Sequence, residues 1–346
     1  MSERTVLVTG GSGFLAAHCI AQLVEDGHRV RTTVRDPAKR ASVAASVRAA
    51  GATVLEGLSF AEADLTRDEG WAEAVDGCGH VLHVASPFPA RQSEDERDLT
   101  GPAREGTLRV LRAATRAGVE RVVLTSSFGA IGYGHPARPR PFTEEDWSDL
   151  SGPGVTPYIK SKTLAERAAW EFVREEGAAP ELAVVNPVGI FGPALGPRLS
   201  GSLQLVQAMM EGRMPGVPDL YTAVVDVRDV AGLHLRAMAA PEAAGRRFIA
   251  AAGDAVPFAH LAAILRERLG AGASRVPRRR LPSPLVRAGA LVVPALREMR
   301  DNLGVLRHVD AARARTVLDW RPRSTEDAIA AAGRSLLDLG LVTSRR

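Results

Sequence analysis

The sequence predicts an α/β fold in which helices cover both faces of a doubly wound parallel sheet. Short apolar, β-branched runs alternate with helical stretches through the first half of the chain, as expected for parallel strands buried on both faces. A glycine-rich turn separates the first such run from the first helical stretch. After Pro187 the alternation weakens, and Gly and Pro become frequent, which indicates a smaller, mostly helical lobe. The expected architecture is therefore a Rossmann-type sheet with a substrate lobe.

Hydrophobic periodicity and Gly/Pro punctuation give the predicted elements in order. Strands are predicted at residues 5–9, 29–34, 53–56, 80–85, 121–127 and 182–186. Helices are predicted at residues 14–26, 38–50, 69–75, 98–117 and 158–175. Two later runs, 223–227 and 247–251, are predicted to be strands that rejoin the sheet. The dinucleotide-binding domain would then comprise residues 1–187 plus about 223–252, and the substrate-binding lobe residues 188–222 plus about 253–346.

Composition narrows the function classes. The chain has 346 residues, a formal charge of +4 and two cysteines, which argues against a disulfide framework or a zinc site, so no metal is predicted. Its basic residues are scattered without aromatic interleaving, which argues against nucleic-acid binding. No apolar run is long enough to span a bilayer and no signal peptide is evident, so the prediction is a cytoplasmic protein that does not bind membranes.

The glycine-rich turn has the spacing of a phosphate loop. Gly10 and Gly13 lie between the first strand and a helix that begins near Phe14 and Leu15. Glycines there permit a tight turn and let backbone N–H groups approach a pyrophosphate at the positive end of the helix. The loop therefore predicts a bound dinucleotide.

The end of the second strand indicates which dinucleotide is bound. NAD-selective sites commonly place an acidic residue there, whereas this chain has Arg35. A guanidinium matches a 2′-phosphate in charge and in its bidentate geometry, and Lys39 could assist. The sequence therefore favours NADP(H), although Asp36 could still bind a ribose hydroxyl.

A tyrosine and a lysine four residues apart begin the fifth predicted helix. At this spacing Tyr158 and Lys162 share one helix face, and a neighbouring ammonium is expected to lower the pKa of the phenol. Ser127 ends the preceding strand, at the sheet edge where ligands bind in such folds. We expect Ser127 to bind a substrate carbonyl and Tyr158 to transfer the proton, with Ser126 as the alternative serine.

These features together resemble the extended short-chain dehydrogenase/reductases, in the branch of dihydroflavonol 4-reductase, cinnamoyl-CoA reductase and yeast-type methylglyoxal reductases. The matching stretches, in chain order, are VLVTGGSGFLAAH, VRTTVRDP, EADLT, VLHVASPF, VVLTSSFGAIG, YIKSKTLAE, VVNPVGIFGP, VVDVRDVA and RARTVLDWRP. They cover nearly the whole chain. No asparagine follows Ser127 where the plant flavonoid enzymes have one, which argues against a flavonoid substrate.

The resemblance implies roles for particular residues. The catalytic residues would be Ser127, Tyr158 and Lys162. The cofactor would be bound by Gly10, Gly13, Phe14, Leu15, Arg35, Lys39, Asp64, Leu65, Ala85, Ser86, Tyr158, Lys162, Asn186, Pro187 and Val188. The substrate would contact Phe88, Phe128 and Tyr221.

The function that follows is an NADP(H)-dependent carbonyl reductase or alcohol dehydrogenase acting on a small-molecule ketone or aldehyde. The alternatives are a nucleotide-sugar epimerase or dehydratase with bound NAD, a 3β-hydroxysteroid dehydrogenase, and a non-catalytic NADP sensor. The helices at 98–117 and 158–175 are candidates for a homodimer interface, although a monomer is equally compatible with the sequence.

Overall fold

The computed structural model describes residues 5–86, 97–290, 296 and 299–342. Its strands are Thr5–Val8 (β1), Val30–Val34 (β2), Leu58–Glu62 (β3), Cys78–His83 (β4), Arg121–Thr125 (β5), Glu181–Pro187 (β6), Gly189–Phe191 (β7), Val217–Pro218 (β8), Tyr221–Thr222 (β9), Val224–Asp226 (β10), Arg246–Ala250 (β11), Val256–Pro257 (β12) and Arg280–Leu281 (β13). Its helices are Phe14–Glu25 (α1), Arg40–Ala49 (α2), Trp71–Val75 (α3), Arg97–Arg116 (α4), Pro157–Glu175 (α5), Gly201–Met210 (α6), Val227–Ala239 (α7), Phe258–Leu269 (α8), Ser283–Gly289 (α9), Ala312–Leu318 (α10) and Thr325–Asp338 (α11).

The central sheet has seven parallel strands in the order β11-β6-β5-β4-β1-β2-β3. The predicted doubly wound parallel sheet is therefore confirmed. Chain order runs outward from β1 in both directions, so the carboxyl ends of β1 and β4 border the crevice where the order reverses.

Side chains that alternate along β1 enter two different cores. Val6 and Val8 pack with α1 and α7 on one face of the sheet. Leu7 packs with α4 on the other face. Because successive strand side chains point to opposite faces, a short apolar run such as β1 can only be buried between two layers of helices. Helices α4 and α5 lie side by side on their face, and their pairing across a two-fold axis stays a prediction.

A third core lies beyond the sheet, among α6, α8 and α11. This cluster corresponds to the mostly helical lobe that the sequence predicts, and the division of the chain into two domains stays a prediction. Across the part of the chain that the structure describes, no helix is both long and apolar enough to cross a bilayer.

Two of the predicted strands are corrected by the structure. The run at 53–56 is a turn, and the third strand is Leu58–Glu62. The backbone N–H and the hydroxyl of Thr53 donate to the carboxylate of Glu25, at 2.6 and 2.8 Å, which ties this segment to the end of α1. The run at 223–227 does not rejoin the central sheet: Val224–Asp226 pairs with Gly189–Phe191, because β11 occupies the edge beside β6. The predicted strand at 247–251 does join the sheet, as Arg246–Ala250.

Three buried histidines make the folded protein sensitive to acid. Burial lowers the pKa of His18 to about 4, that of His83 to about 3 and that of His234 to about 4. Each of these side chains is therefore neutral when folded and takes up a proton on unfolding below its ordinary pKa of 6.5. Their contribution to stability is complete above that value and is lost as the pH falls toward the folded-state pKa.

We expect the free energy of unfolding to fall by about 2 kcal/mol per histidine between about pH 7 and pH 5. Urea titrations at several pH values in this window measure the slope. A free energy that does not change with pH across this window would show that these imidazoles do not titrate on unfolding.

Candidate active site

The glycine turn after β1 has a backbone that larger residues would not tolerate. Gly10 has φ +72, and a Cβ there would lie 2.9 Å from the Cβ of Ala85. A Cβ at Gly11, a position that the sequence interpretation did not single out, would collide with the Thr32 hydroxyl. Gly13 precedes α1 without supplying a side-chain cap, which leaves the first N–H groups of the helix available for an anion. The turn therefore fits a pyrophosphate.

The predicted 2′-phosphate contact lies at the exposed end of β2. Arg35 is exposed there, and Lys39 closes the short 3-10 turn that follows. The carboxylate of Asp36 caps this turn by accepting the N–H of Ala38 at 2.9 Å. The carboxylate of Asp36 is thus engaged in the turn, and Arg35 beside it is an exposed cation at the position predicted to contact the 2′-phosphate.

The residues predicted for the adenine pocket follow β3. Partial burial alone would raise the pKa of Asp64, but hydrogen bonds from the Thr66 N–H and hydroxyl and the nearby charge of Arg35 hold it below its ordinary value. Leu65 is buried against α4, where a Cβ on Gly106 would come within 2.9 Å of the Leu65 Cβ. The close approach of α4 thus depends on the absence of a side chain at Gly106.

Local structure brings the three predicted catalytic residues to the carboxyl edge of the sheet. Ser127 follows β5 in extended conformation and caps a 3-10 turn by accepting the N–H of Gly129 at 3.0 Å. Helix α5 begins at Pro157 with Thr156 as its cap, which places Tyr158 in the first turn. Lys162 follows one turn later and donates to the carbonyl of Thr125 at 3.3 Å.

The hydroxyls of Ser127 and Tyr158 are hydrogen-bonded to each other, but the expected effect of the lysine is corrected. Burial raises the pKa of Tyr158 above its ordinary value, and the bond to Ser127 offsets this rise only in part. Burial also lowers the pKa of Lys162 to about 8, opposed in part by the carboxylate of Glu166. The cost of charging a hydroxyl withdrawn from water therefore outweighs the effect of this hydrogen bond, and the net shift is opposite to the one expected from the lysine. Tyr158 is held as a neutral phenol, the form that donates a proton.

A buried ionic network lies next to the predicted catalytic residues. Glu166 is completely buried and accepts from the Nε of Arg247 at 2.6 Å and from the amide of Asn186 at 2.8 Å. Ser126 also donates to Glu166, which turns it away from Tyr158 and favours Ser127 as the reactive serine. The amide of Asn186 also donates to the Ser127 carbonyl at 3.3 Å, while its predicted contact with the nicotinamide stays a prediction.

The sequence interpretation missed Glu166 and Arg247. The only available sequence signal was the position of Glu166, four residues after Lys162 on the same helix. Arg247 reaches it from the edge strand β11.

Most of the predicted site residues line one cavity of about 710 Å³. The predicted residues that line it are Gly13, Phe14, Leu15, Ser127, Phe128, Tyr158, Lys162, Pro187, Val188 and Tyr221. Ala85 and Ser86 line a small adjoining cleft that also reaches Lys162. Gly10, Arg35, Lys39, Asp64, Leu65 and Asn186 lie outside the cavity lining. Phe88 falls outside the described residues.

Aromatic side chains form one wall of the cavity. Phe128 packs edge-to-face on Tyr133 and Phe142, with ring centroids 6.3 and 6.1 Å apart. A Cβ on Gly132 would collide with the Phe128 ring, so the loop after β5 fixes the position of this aromatic wall. Phe128 therefore gives the cavity an apolar wall next to Ser127, and its contact with the substrate stays a prediction.

The family comparison agrees with this geometry. The model of the family described as "NAD dependent epimerase/dehydratase family" matches residues 6–251. Tetraketide alpha-pyrone reductase 2 of Arabidopsis thaliana is 38% identical over 258 residues, which cover 71% of this chain and 77% of that protein. Cinnamoyl-CoA reductase 1 of the same plant is 39% identical over 251 residues, covering 71% and 70% of the two chains.

A solved structure extends the similarity over the whole fold. The yeast methylglyoxal/isovaleraldehyde reductase Gre2, complexed with NADPH, superposes with a TM-score of 0.79 at 27% identity. The match covers 98% of this chain and 100% of the yeast chain. The resemblance inferred from the sequence motifs is confirmed. This chain belongs to the NAD dependent epimerase/dehydratase family, within the extended short-chain dehydrogenase/reductases.

Proposed function

We propose that the protein is an NADP(H)-dependent carbonyl reductase that converts a ketone or aldehyde to the alcohol. The observation that carries the proposal is the hydrogen-bonded pair of Ser127 and Tyr158 hydroxyls, which faces the cavity one helical turn before Lys162. Two hydroxyls that converge on one point can bind a carbonyl oxygen and protonate it. The similar proteins cited above are named as reductases, which supports the same chemistry.

The residues of the chain would act in a fixed order. Ser127 positions the carbonyl oxygen, and Tyr158 donates its phenolic proton to that oxygen as negative charge develops. The ammonium of Lys162, one helical turn after Tyr158 and largely protonated near neutral pH, would stabilise the phenolate that remains. When bound, the reduced nicotinamide supplies the hydride to the carbonyl carbon. Phe128, which lines the cavity next to Ser127, would contact the apolar part of the substrate.

Two features of the predicted cofactor site support NADP(H) as the cofactor. The turn from Gly10 to Gly13 fits the pyrophosphate, and Arg35 supplies a cation where the 2′-phosphate of NADP would lie. The NADPH complex of the similar yeast reductase supports this choice.

Replacing Arg35 with glutamine should raise the Kd for NADPH about 10- to 100-fold, because a charge-assisted contact to the 2′-phosphate is lost. The Kd for NADH should change little, since NADH lacks that phosphate. Quenching of protein fluorescence by each cofactor measures both constants. Arg48→Gln, which removes an equally exposed cation from α2, is the matched control. A parallel loss of NADH affinity would indicate that Arg35 acts on the fold and not on the phosphate.

The reaction itself is tested by NADPH consumption with a panel of ketones, aldehydes, flavonoids and steroids. A reductase oxidises NADPH in proportion to the alcohol formed. A nucleotide-sugar epimerase regenerates its bound cofactor in each turnover and consumes none. Stoichiometric NADPH oxidation with at least one carbonyl compound is the expected result, and its absence across the panel would contradict the proposed function.

A further inference from the structure

We propose that Arg307 binds a carboxylate on the substrate, so that the preferred substrates are carbonyl compounds carrying an acid group. This inference rests on the proposed carbonyl reduction and specifies its substrate class. Arg307 lines the same cavity as Tyr158, although it lies far along the chain, in the segment before α10.

The environment of Arg307 is that of a cation without a counterion. Its guanidinium carbon lies 4.2 Å from the centroid of the Tyr133 ring, and its Nη2 donates to Asn302 Oδ1 at 2.8 Å. Both partners are uncharged. Two carboxylates that belong to this segment or bind it are engaged elsewhere, since Asp301 pairs with Arg300 at 3.0 Å and Asp254 pairs with His308 at 2.6 Å. Among the residues that the structure describes, no carboxylate forms an ion pair with Arg307.

The donor inventory of the guanidinium points in the same direction. Arginine has five N–H donors, and one hydrogen bond to the described residues uses only one of them. Arg307 is partly withdrawn from water, and this burial lowers its pKa, yet a guanidinium keeps its charge at neutral pH. A partly desolvated cation with free donors at a cavity wall is a site for an anionic ligand.

The cavity lining is also electrostatically one-sided. Its charged lining residues in the described part of the chain are Lys162 and Arg307, and no aspartate or glutamate lines it. Lys162 already donates to the Thr125 carbonyl at 3.3 Å and is assigned to Tyr158 in the proposed mechanism. Arg307 is the remaining positive charge, and a single cation matches a monoanionic carboxylate in charge and in its planar, two-oxygen geometry.

Tyr133 connects the two ends of the proposed site. Its ring stacks under the guanidinium of Arg307, and its phenol is close enough to Tyr158 to influence the acidity of that hydroxyl. The acid-binding end and the proton-donating end therefore lie within the span of one small molecule. Apolar side chains that line the same cavity include Phe128, Phe258, Met299, Val305 and Val309. A compound with a carboxylate, an apolar body and a carbonyl matches these three kinds of lining.

Matched pairs of substrates test the proposal. Meta-formylbenzoate, para-formylbenzoate and para-formylcinnamate vary the distance between the aldehyde and the acid, and the methyl ester of each removes only the charge. We expect kcat/KM for at least one acid to exceed that of its ester by about 10- to 100-fold, the worth of a charge-assisted contact. In Arg307→Met this preference should disappear through loss of activity on the acid, while activity on the ester is retained.

Two further variants separate binding from folding. Arg307→Lys keeps the charge and should retain part of the preference for the acid. Arg300→Met removes an exposed cation that pairs with Asp301 outside the cavity, and should leave the preference unchanged. A merely structural role for Arg307 would lower activity on acid and ester equally. Equal losses, no acid preference at any length, or a loss of NADPH affinity in Arg307→Met would each overturn the proposal.

A binding measurement keeps this inference distinct from the proposed function. If none of the carbonyl compounds is reduced, the proposed reduction fails, and the acid site is then judged by calorimetry alone. The probes are the three corresponding alcohol acids and their methyl esters, titrated into the protein saturated with NADP. Binding of at least one acid that is stronger than that of its ester, and that is lost in Arg307→Met, would support the site. Equal binding of acid and ester by the two proteins would reject it.

Discussion

Replacing Tyr158 with phenylalanine is expected to lower kcat/KM for carbonyl reduction by about 10²- to 10⁴-fold, the usual contribution of a positioned general acid. Tyr158 as a whole residue is 40% exposed and lines the cavity, although its hydroxyl is withdrawn from water beside Ser127, so removing the oxygen alters little packing. The Kd for NADPH should stay close to that of the unaltered protein. Steady-state kinetics and cofactor titration, run on the same preparation, measure both quantities.

The cavity itself provides the matched control. Tyr133 is a second phenol in the same lining, and its hydroxyl could in principle donate the proton. Because the hydroxyl bonded to Ser127 belongs to Tyr158, we expect Tyr133→Phe to lose far less activity. If the Tyr133 variant were the more impaired of the two, the proton donor would have to be reassigned to Tyr133.

The sequence predicted the fold best where structure is set locally. The consecutive apolar residues 6–8 and 122–124 lie within β1 and β5, and a parallel strand buried on both faces accommodates that pattern. The prediction was wrong at 53–56 and in the partner of 223–227. In both cases a distant group decides the outcome, namely the Glu25 carboxylate and the edge strand Arg246–Ala250. Such competition has no signature within the segment itself.

The candidate site shows the same contrast between features set locally and features set by distant parts of the chain. Ser127 could be inferred from its position at a strand end, and Tyr158 from its spacing to Lys162. The direction of the Tyr158 pKa shift could not be inferred from the sequence, because the shift depends on how much protein surrounds the hydroxyl. The sequence motifs did not indicate Arg307 either, because it enters the cavity from a segment far along the chain from α5. Arg307 reaches the cavity through tertiary packing, whereas Ser127 and Tyr158 are held by local turns and caps.

Replacing Glu166 with glutamine is expected to lower the free energy of unfolding by about 3 to 5 kcal/mol, the usual cost of breaking a buried ion pair. Glu166 is completely buried, and Arg247, 6% exposed, lies against it at 2.6 Å. The variant would leave the guanidinium with the carbonyls of Glu144 and Asp146 and the face of Trp147, but with no negative charge. Urea unfolding measures the loss. The Glu166 carboxylate raises the pKa of Lys162, so Lys162 should lose its proton at a lower pH in the variant. As the pH rises, the activity of the variant should therefore decline earlier than that of the unaltered protein.

The opposite replacement, Arg247→Met, should cost less than Glu166→Gln. A carboxylate left without its cation still accepts hydrogen bonds from Ser126, Asn186 and Trp170, and it can take up a proton to become neutral. A guanidinium cannot become neutral in this way, because it does not lose its proton in the accessible pH range. The double variant removes both charges and should be more stable than Glu166→Gln alone. If Glu166→Gln and the double variant were equally destabilised, the cost would come from lost packing around the network and not from an unpaired charge.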